Sequence, residues 1–297
     1  TIGGQQDAVV CKFSPNLDTL IWSSYVGGSD KDAGYSIKLN SNYEAIISGG
    51  TCSENFATTS NAHNQAYQGG ISDGFIGIIS SDGSTLNTLT YFGTPAYDQT
   101  FFVEVDRWNS IYTISHSLGN YPTTPGVYSN TNGSQVITKY DSTLSNVIFS
   151  TNFGNGNGQT NISPSAFLVD RCGNIYVSGW GANILQNTGL SGMPISNDAY
   201  FSNPPNGFDF YLIVLERNAQ SLLYATYFGG PDSDEHVDGG TSRFDKNGIV
   251  YQSVCAGCGS NDDFPTYPNP GVWSNTNNSN NCNNGTFKFD FQIIPKA

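Results

Sequence analysis

Two short segments combine residue types and spacings that could do chemistry. The loop Gly230-Pro-Asp232-Ser-Asp234-Glu235-His236-Val-Asp238 offers carboxylates at Asp232, Asp234 and Asp238, the oxygen-rich donor set that a hard cation such as Ca2+ draws from one short segment. The glycine and the closing glutamate of an EF-hand are missing, and the matching loop Ser29-Asp30-Lys31-Asp32 is weaker, so a solvated acidic loop is the competing reading. The second segment is Cys255-Ala-Gly-Cys258, with Cys282 further on. A C-x-x-C pair supplies two thiolates at metal spacing. Only one more cysteine lies near it and no clustered second pair completes a tetrahedral set, so a disulfide among these three is the stronger expectation. Cys11 and Cys52 are candidates for a second bridge, and Cys172 falls in a hairpin turn.

A catalytic constellation is not evident. His63, His116 and His236 share no motif, and each is expected to be structural or at the surface. No nucleophile elbow, zincin helix or phosphate loop occurs. Separated carboxylates of the glycosidase kind could arise by accident in so acidic a chain, and no pair stands out. Trp22 and Trp180 lie in or beside expected strands and read as core. Trp108, at a hairpin tip, and Trp273, in an Asn-rich loop, are the candidates for stacking on sugar rings.

The elements that must carry these residues follow from composition and repetition. The 297 residues include 34 Gly, 33 Asn, 17 Tyr and 18 Phe, with only 12% charged and a net charge of −13. Asn and Gly tolerate positive φ and aromatics fit a pleated surface, so strands joined by tight turns are expected and helices are not. Nothing supplies a basic stripe, which argues against nucleic acid as a partner. No apolar run is long enough for a spanning helix, so no direct membrane insertion is expected. Six cysteines with few lysines and much Asn, Ser and Thr suggest a secreted chain.

The chain also repeats. Asp7-Ala-Val-Val-Cys-Lys-Phe13, Asp73-Gly-Phe-Ile-Gly-Ile-Ile79, Ser134-Gln-Val-Ile-Thr-Lys-Tyr140, Asp209-Phe-Tyr-Leu-Ile-Val-Leu215 and Gly285-Thr-Phe-Lys-Phe-Asp-Phe291 align as one alternating strand, 66, 61, 75 and 76 residues apart. The first four are each followed by a second strand ending at Tyr25-Val-Gly-Gly28, Tyr91-Phe-Gly93, Asn152-Phe-Gly154 or Tyr227-Phe-Gly-Gly230. Two further strands then flank a turn at Asn40-Ser-Asn42, Asp106-Arg-Trp-Asn109, Asp170-Arg-Cys-Gly-Asn174 or Asp245-Lys-Asn-Gly248. Four strands per period predict an all-β chain, a β-propeller built from four-stranded antiparallel blades. The domain is expected to cover 1–297 as one propeller or propeller segment. Its repeat units are approximately 7–72, 73–133, 134–208 and 209–284, with an extra strand over 285–291.

If each blade takes two strands from the end of one unit and two from the start of the next, the chain reads as two leading strands, three complete blades and three trailing strands. One copy of the repeated strand is then surplus. Either the segment belongs to a larger propeller, or the strand carrying Phe287, Phe289 and Phe291 pairs with something else, such as another copy of the protein.

The residues Asp7 to Phe13, Leu223 to Gly230, Asp170 to Gly179 and Tyr121 to Tyr128 resemble the SBBP-type β-propeller repeat of large secreted Bacteroidetes proteins, over nearly the whole chain. The closing run from Cys282 to Asp290 resembles the junction to PKD-type modules and a type IX secretion C-terminal domain. The third unit departs from the pattern at Asn152 and at Gly154-Asn-Gly-Asn-Gly158. The resemblance implies an extracellular or cell-surface module. The expected role is a non-catalytic scaffold or adhesion propeller that takes glycans or surface proteins as partners. The alternatives are a subunit of an extracellular filament or surface assembly, self-associating by strand exchange, and a glycan-active propeller enzyme.

Overall fold

The computed structural model describes residues 3–181, 189–206, 208–237 and 242–291. It is all-β, and its only helical element among the described residues is a 3-10 turn at Arg217–Ala219. The strands are β1 (Ala8–Phe13), β2 (Leu20–Val26), β3 (Asp32–Leu39), β4 (Ala45–Thr51), β5 (Asp73–Ile79), β6 (Leu86–Phe92), β7 (Asp98–Val105), β8 (Ile111–Ser117) and β9 (Gln135–Tyr140). Then come β10 (Val147–Phe153), β11 (Ser163–Val169), β12 (Ile175–Trp180), β13 (Phe210–Leu215), β14 (Leu222–Phe228), β15 (Ser242–Phe244), β16 (Ile249–Ala256) and β17 (Asn283–Asp290).

Three sheets are complete four-stranded antiparallel meanders of propeller-blade form: β3 to β6, β7 to β10 and β11 to β14. Before them stands the pair β1–β2, and after them the three-stranded sheet β15–β16–β17. This is the phase expected from the repeat, in which every complete sheet straddles a sequence unit boundary.

The described residues fall into two compact units. One runs up to Pro125 and includes Ser134–Asn152; the other comprises Gly126–Gly133 and the chain from Phe153 onward. In the first, Ala8, Val10 and Val26 pack with Ala45, Ile47, Phe75, Ile79 and Tyr91. The opposite face of the same complete sheet, through Ile46, Ile76, Ile78 and Phe92, packs with Val103, Ile111, Val136 and Tyr140. Strands such as β5, sandwiched in this way, are buried along their whole length, so their sequences lose the alternation of a half-exposed strand. In the second unit Phe210, Leu212, Val214 and Phe228 pack with Val250, Val254 and Phe291.

Three local devices account for the repeated residues. The hairpin turns are side-chain-clasped: Oδ1 of Asn40, Asp106, Asp170 and Asp245 each accepts the N–H groups two and four residues on. The tyrosine of the aromatic-glycine ending ties the long loop of its unit. Tyr91 Oη donates to Ser53 O at 2.7 Å and accepts from Phe56 N at 2.9 Å, and Tyr227 Oη lies 3.1 Å from the carbonyls of Leu190 and Met193. At the third ending Asn152 cannot make that reach, and its Oδ1 is buried without a partner.

The third device is a clasp between an aspartate and the glycine facing it. A Cβ placed on Gly27, Gly93 or Gly229 would fall on the carboxylate of Asp7, Asp73 or Asp209 respectively. These glycines are required by close approach.

Candidate functional site: an aromatic groove along β17

A concavity of about 1190 Å³ lies in the second unit and runs along β17. In the complete sheets, strands β5, β9 and β13, which occupy the position of β17, each carry a fourth strand; among the described residues β17 carries none. Phe228, Phe264, Phe287 and Phe289 supply the apolar lining, and Tyr200 and Trp273 add larger rings. Trp273 is 102% exposed. Asn261, Asn278, Asn283 and Asn284 with Asp262, Lys288 and Asp290 are among the groove's polar lining residues. The facing wall is built from the backbone out: Asn277 Nδ2 donates to the carbonyls of Gly257, Asn261 and Asn281, pinning the loop in which Trp273 sits. Aromatic faces beside amides and a few charges suit a ligand with apolar C–H faces and hydroxyl edges.

The sequence candidates distribute as follows. Trp273 lines this groove. Trp108 lies at the β7–β8 turn, half-exposed, with the Arg107 guanidinium 4.1 Å from its ring centroid, so one ring face is already taken. Phe287, Phe289 and Phe291 turn their rings into the core, where Phe287 meets Phe228 at 4.6 Å and Phe210 at 5.3 Å. What β17 leaves available for pairing is its backbone edge.

In the acidic loop, Asp234 Oδ1 accepts from Asn206 Nδ2 at 2.9 Å, and the backbone N–H of Asp232 donates to Asp263 Oδ2 at 2.6 Å. Asp238 lies outside the described residues. The residue that organises this loop is Glu235, which is fully buried and accepts from Gly230 N at 2.8 Å and from Ser233 Oγ at 2.7 Å. Asp32 and Asp98 hold the equivalent loops in the first unit by accepting from Gly28 N and Thr94 N, each at 2.6 Å. In the third repeat the amide of Asn161 substitutes, accepting from Asn155 N at 3.1 Å.

These carboxyls sit in unusual surroundings. Burial pushes Asp73 up to about 7 and Asp98 up to about 6, and burial together with the neighbouring Glu235 pushes Asp209 up to about 9. All three have a buried Oδ1 without a partner. Raised carboxyls mark catalytic acids when a cleft reaches them. Here they are sealed inside the sheets at 0% exposure, which makes them part of the loop clasps.

Cys258 and Cys282 form a disulfide, while Cys11, Cys52 and Cys172 carry free thiols. Cys255 lies outside the bridge with its Sγ 3.9 Å from that of Cys258. The sequence reading missed the approach of His236 to these sulfurs. His236 forms an antiparallel bridge with Cys255 through N–H to carbonyl bonds of 3.2 and 2.9 Å. Its ring nitrogen lies within 4.8 Å of the sulfurs of Cys255 and Cys258, which are themselves within that distance of each other.

No model of a known protein family matches the chain, and no curated protein matches it. Among solved structures, BamB from Moraxella catarrhalis aligns at 10% identity over 82% of this chain and 76% of its own, with a TM-score of 0.25.

Proposed function

We propose that the chain is a non-catalytic binding module of a secreted bacterial surface protein, of the SBBP-repeat kind that precedes PKD-type modules and a type IX secretion signal, and that the groove along β17 receives glycans. The observation that carries this reading is the fully exposed Trp273 on the amide- and aromatic-lined wall of the groove along β17. An indole that projects into water contributes nothing to the core, and it offers a stacking surface for the C–H face of a pyranose. The low charge density and abundant Asn suit a hydrated extracellular surface. The test is a glycan array probed with the full chain, followed by titration of the best ligand into Trp273→Ala. Wild-type binding that falls at least about tenfold in the variant, with unchanged thermal unfolding, is the expected result. An array without hits, or equal affinity in the variant, overturns the reading.

A second reading rests on the outer edge of β17, which carries no strand among the described residues and suits strand addition by another copy in an extracellular assembly. Light scattering of the intact chain over a wide concentration range is expected to show growing mass. A monomer at every concentration removes it. Deleting the strand would not test this, because its phenylalanines belong to the core.

A further inference from the structure

A donor set for a transition metal is assembled at the end of β16. Cys255 is the penultimate residue of that strand, and its hydrogen-bonded pairing with His236 sets both side chains on one face. The chain then reverses through Gly257 at φ 62° and Gly259 at φ 83°. A Cβ on Gly257 would come within 2.5 Å of Asn261 O, so the turn that brings Cys258 back beside Cys255 demands glycine. Asn261 Nδ2 fixes it by donating to Cys258 O at 2.9 Å. Cys282 arrives from the start of β17, in the segment whose next residue, Asn283, pairs with Ala256, and it is bonded to Cys258. The sulfurs of Cys255 and Cys258 and a ring nitrogen of His236 thus lie within 4.8 Å of one another, half-buried beside the Trp180 ring, 5.9 Å from that of His236, and the sulfur of Cys282 is reached through its bond to Cys258.

We propose that, in its reduced form, this cluster binds one zinc ion through the sulfurs of Cys255, Cys258 and Cys282 and a ring nitrogen of His236. Three thiolates and one imidazole are a complete tetrahedral set for a structural zinc. The Cys258–Cys282 disulfide is the metal-free, oxidised state of the same site. A dithiol reductant delivers two electrons and two protons to that bond and becomes a disulfide itself. Zinc then displaces three thiol protons and takes the neutral imidazole. In the oxidised state two of the four donors are consumed, so affinity is lost. The site goes beyond the glycan reading and does not depend on it.

Cobalt(II) is the probe, because thiolate coordination gives a near-ultraviolet charge-transfer band and a tetrahedral field gives intense visible bands. The full chain, reduced under argon, is expected to take up one equivalent of cobalt with both features, and zinc is expected to displace it. His236→Ala and Cys255→Ser should each weaken binding by at least about tenfold, while Cys172→Ser leaves it unchanged. Since a variant at this turn could lose its fold, a second readout uses the unsubstituted chain. Zinc should shield Cys255, Cys258 and Cys282 from alkylation and leave Cys11 and Cys172 reactive, as read by peptide mass. Absence of the tetrahedral cobalt spectrum, equal binding by the oxidised chain, or alkylation of the three cysteines unaffected by zinc would each overturn the assignment.

Discussion

The two incomplete sheets end their units in opposite ways. In β1–β2 the inner face, Ala8, Val10 and Val26, is buried, while the outer face presents Val9, Phe13, Ile21 and Tyr25, each about half exposed. In β15–β17 the phenylalanines again face inward, but the outer face of β17 is Thr286, Lys288 and Asp290. In the complete sheets the central strands β4, β5, β8, β9 and β13 are buried on both faces along their whole length, while the edge strand β3 still exposes Tyr35, Ile37 and Leu39. A strand with apolar residues on both sides carries the chemistry of an interior blade, and a strand that is apolar on one side only carries that of a terminal one. By this measure β17 is apolar on one side, and β1 is apolar on both.

This contrast can be attacked at equivalent positions of the repeat. Val9, Phe75 and Phe287 are the same repeat position in β1, β5 and β17. Phe75→Ala is expected to cost about 4 kcal/mol and Phe287→Ala about 3 kcal/mol in urea unfolding, through lost burial and a residual cavity, against less than about 0.5 kcal/mol for Val9→Ala. Comparable losses at all three would erase the distinction between open and closed faces.

Next in size is the aspartate–glycine clasp. Gly93→Ala drives a methyl into the carboxylate of Asp73, which is sealed in a complete sheet, and about 2 kcal/mol of destabilisation is expected. In the open pair Asp7 is only half-buried and can swing aside, so Gly27→Ala should cost less than half as much. Thermal unfolding of the two variants side by side checks this.

The smallest effect is a pH dependence. An unfolded aspartate titrates near ~3.9, whereas burial pushes Asp73 up to about 7 in the folded chain. The folded state holds this proton more tightly, so the contribution is fully present below the unfolded value and is lost as pH rises through about 7. Asp73→Asn keeps an acceptor for the Gln68 N–H, bonded at 2.6 Å, and removes the charge. It should raise stability at pH 8 relative to that at pH 5 by on the order of 1 kcal/mol. An unchanged slope of stability against pH in the variant would mean that Asp73 is not the group responsible.

The strands and their phase were legible because they rest on local chemistry. The period of two, the Asx-clasped turns at Asn40, Asp106, Asp170 and Asp245, and the recurring Tyr-x-Gly endings are each readable within a few residues. What could not be read are approaches between distant segments. Cys255 and Cys258 announced a metal spacing, but the fourth donor, His236, belongs to a loop whose acidic residues suggested calcium. Only the bridge that aligns it with Cys255 reveals the pairing. The groove was invisible for the same reason: Tyr200 closes the loop before β13, Phe264 and Trp273 lie in the loop before β17, and nothing in their spacing shows that these two loops meet along one strand. Phe287, Phe289 and Phe291 showed which strand was surplus, while their burial follows from packing against Phe210 and Phe228, which alternation alone does not specify.

The clasp between Asp7, Asp73 or Asp209 and its facing glycine also bears on how the chain finds its fold. A slip by one residue in one direction would set the side chain of Val26, Phe92 or Phe228 against the carboxylate, so the pair proofreads strand register in that direction. It cannot proofread identity, because the same pair recurs in three repeats and any such aspartate would accept any such glycine. Telling one repeat from another is left to the loops between them, whose lengths and contents differ. The device that keeps each sheet aligned thus leaves the strands exchangeable, and the loops, by limiting which strands can meet, become the address labels of the fold.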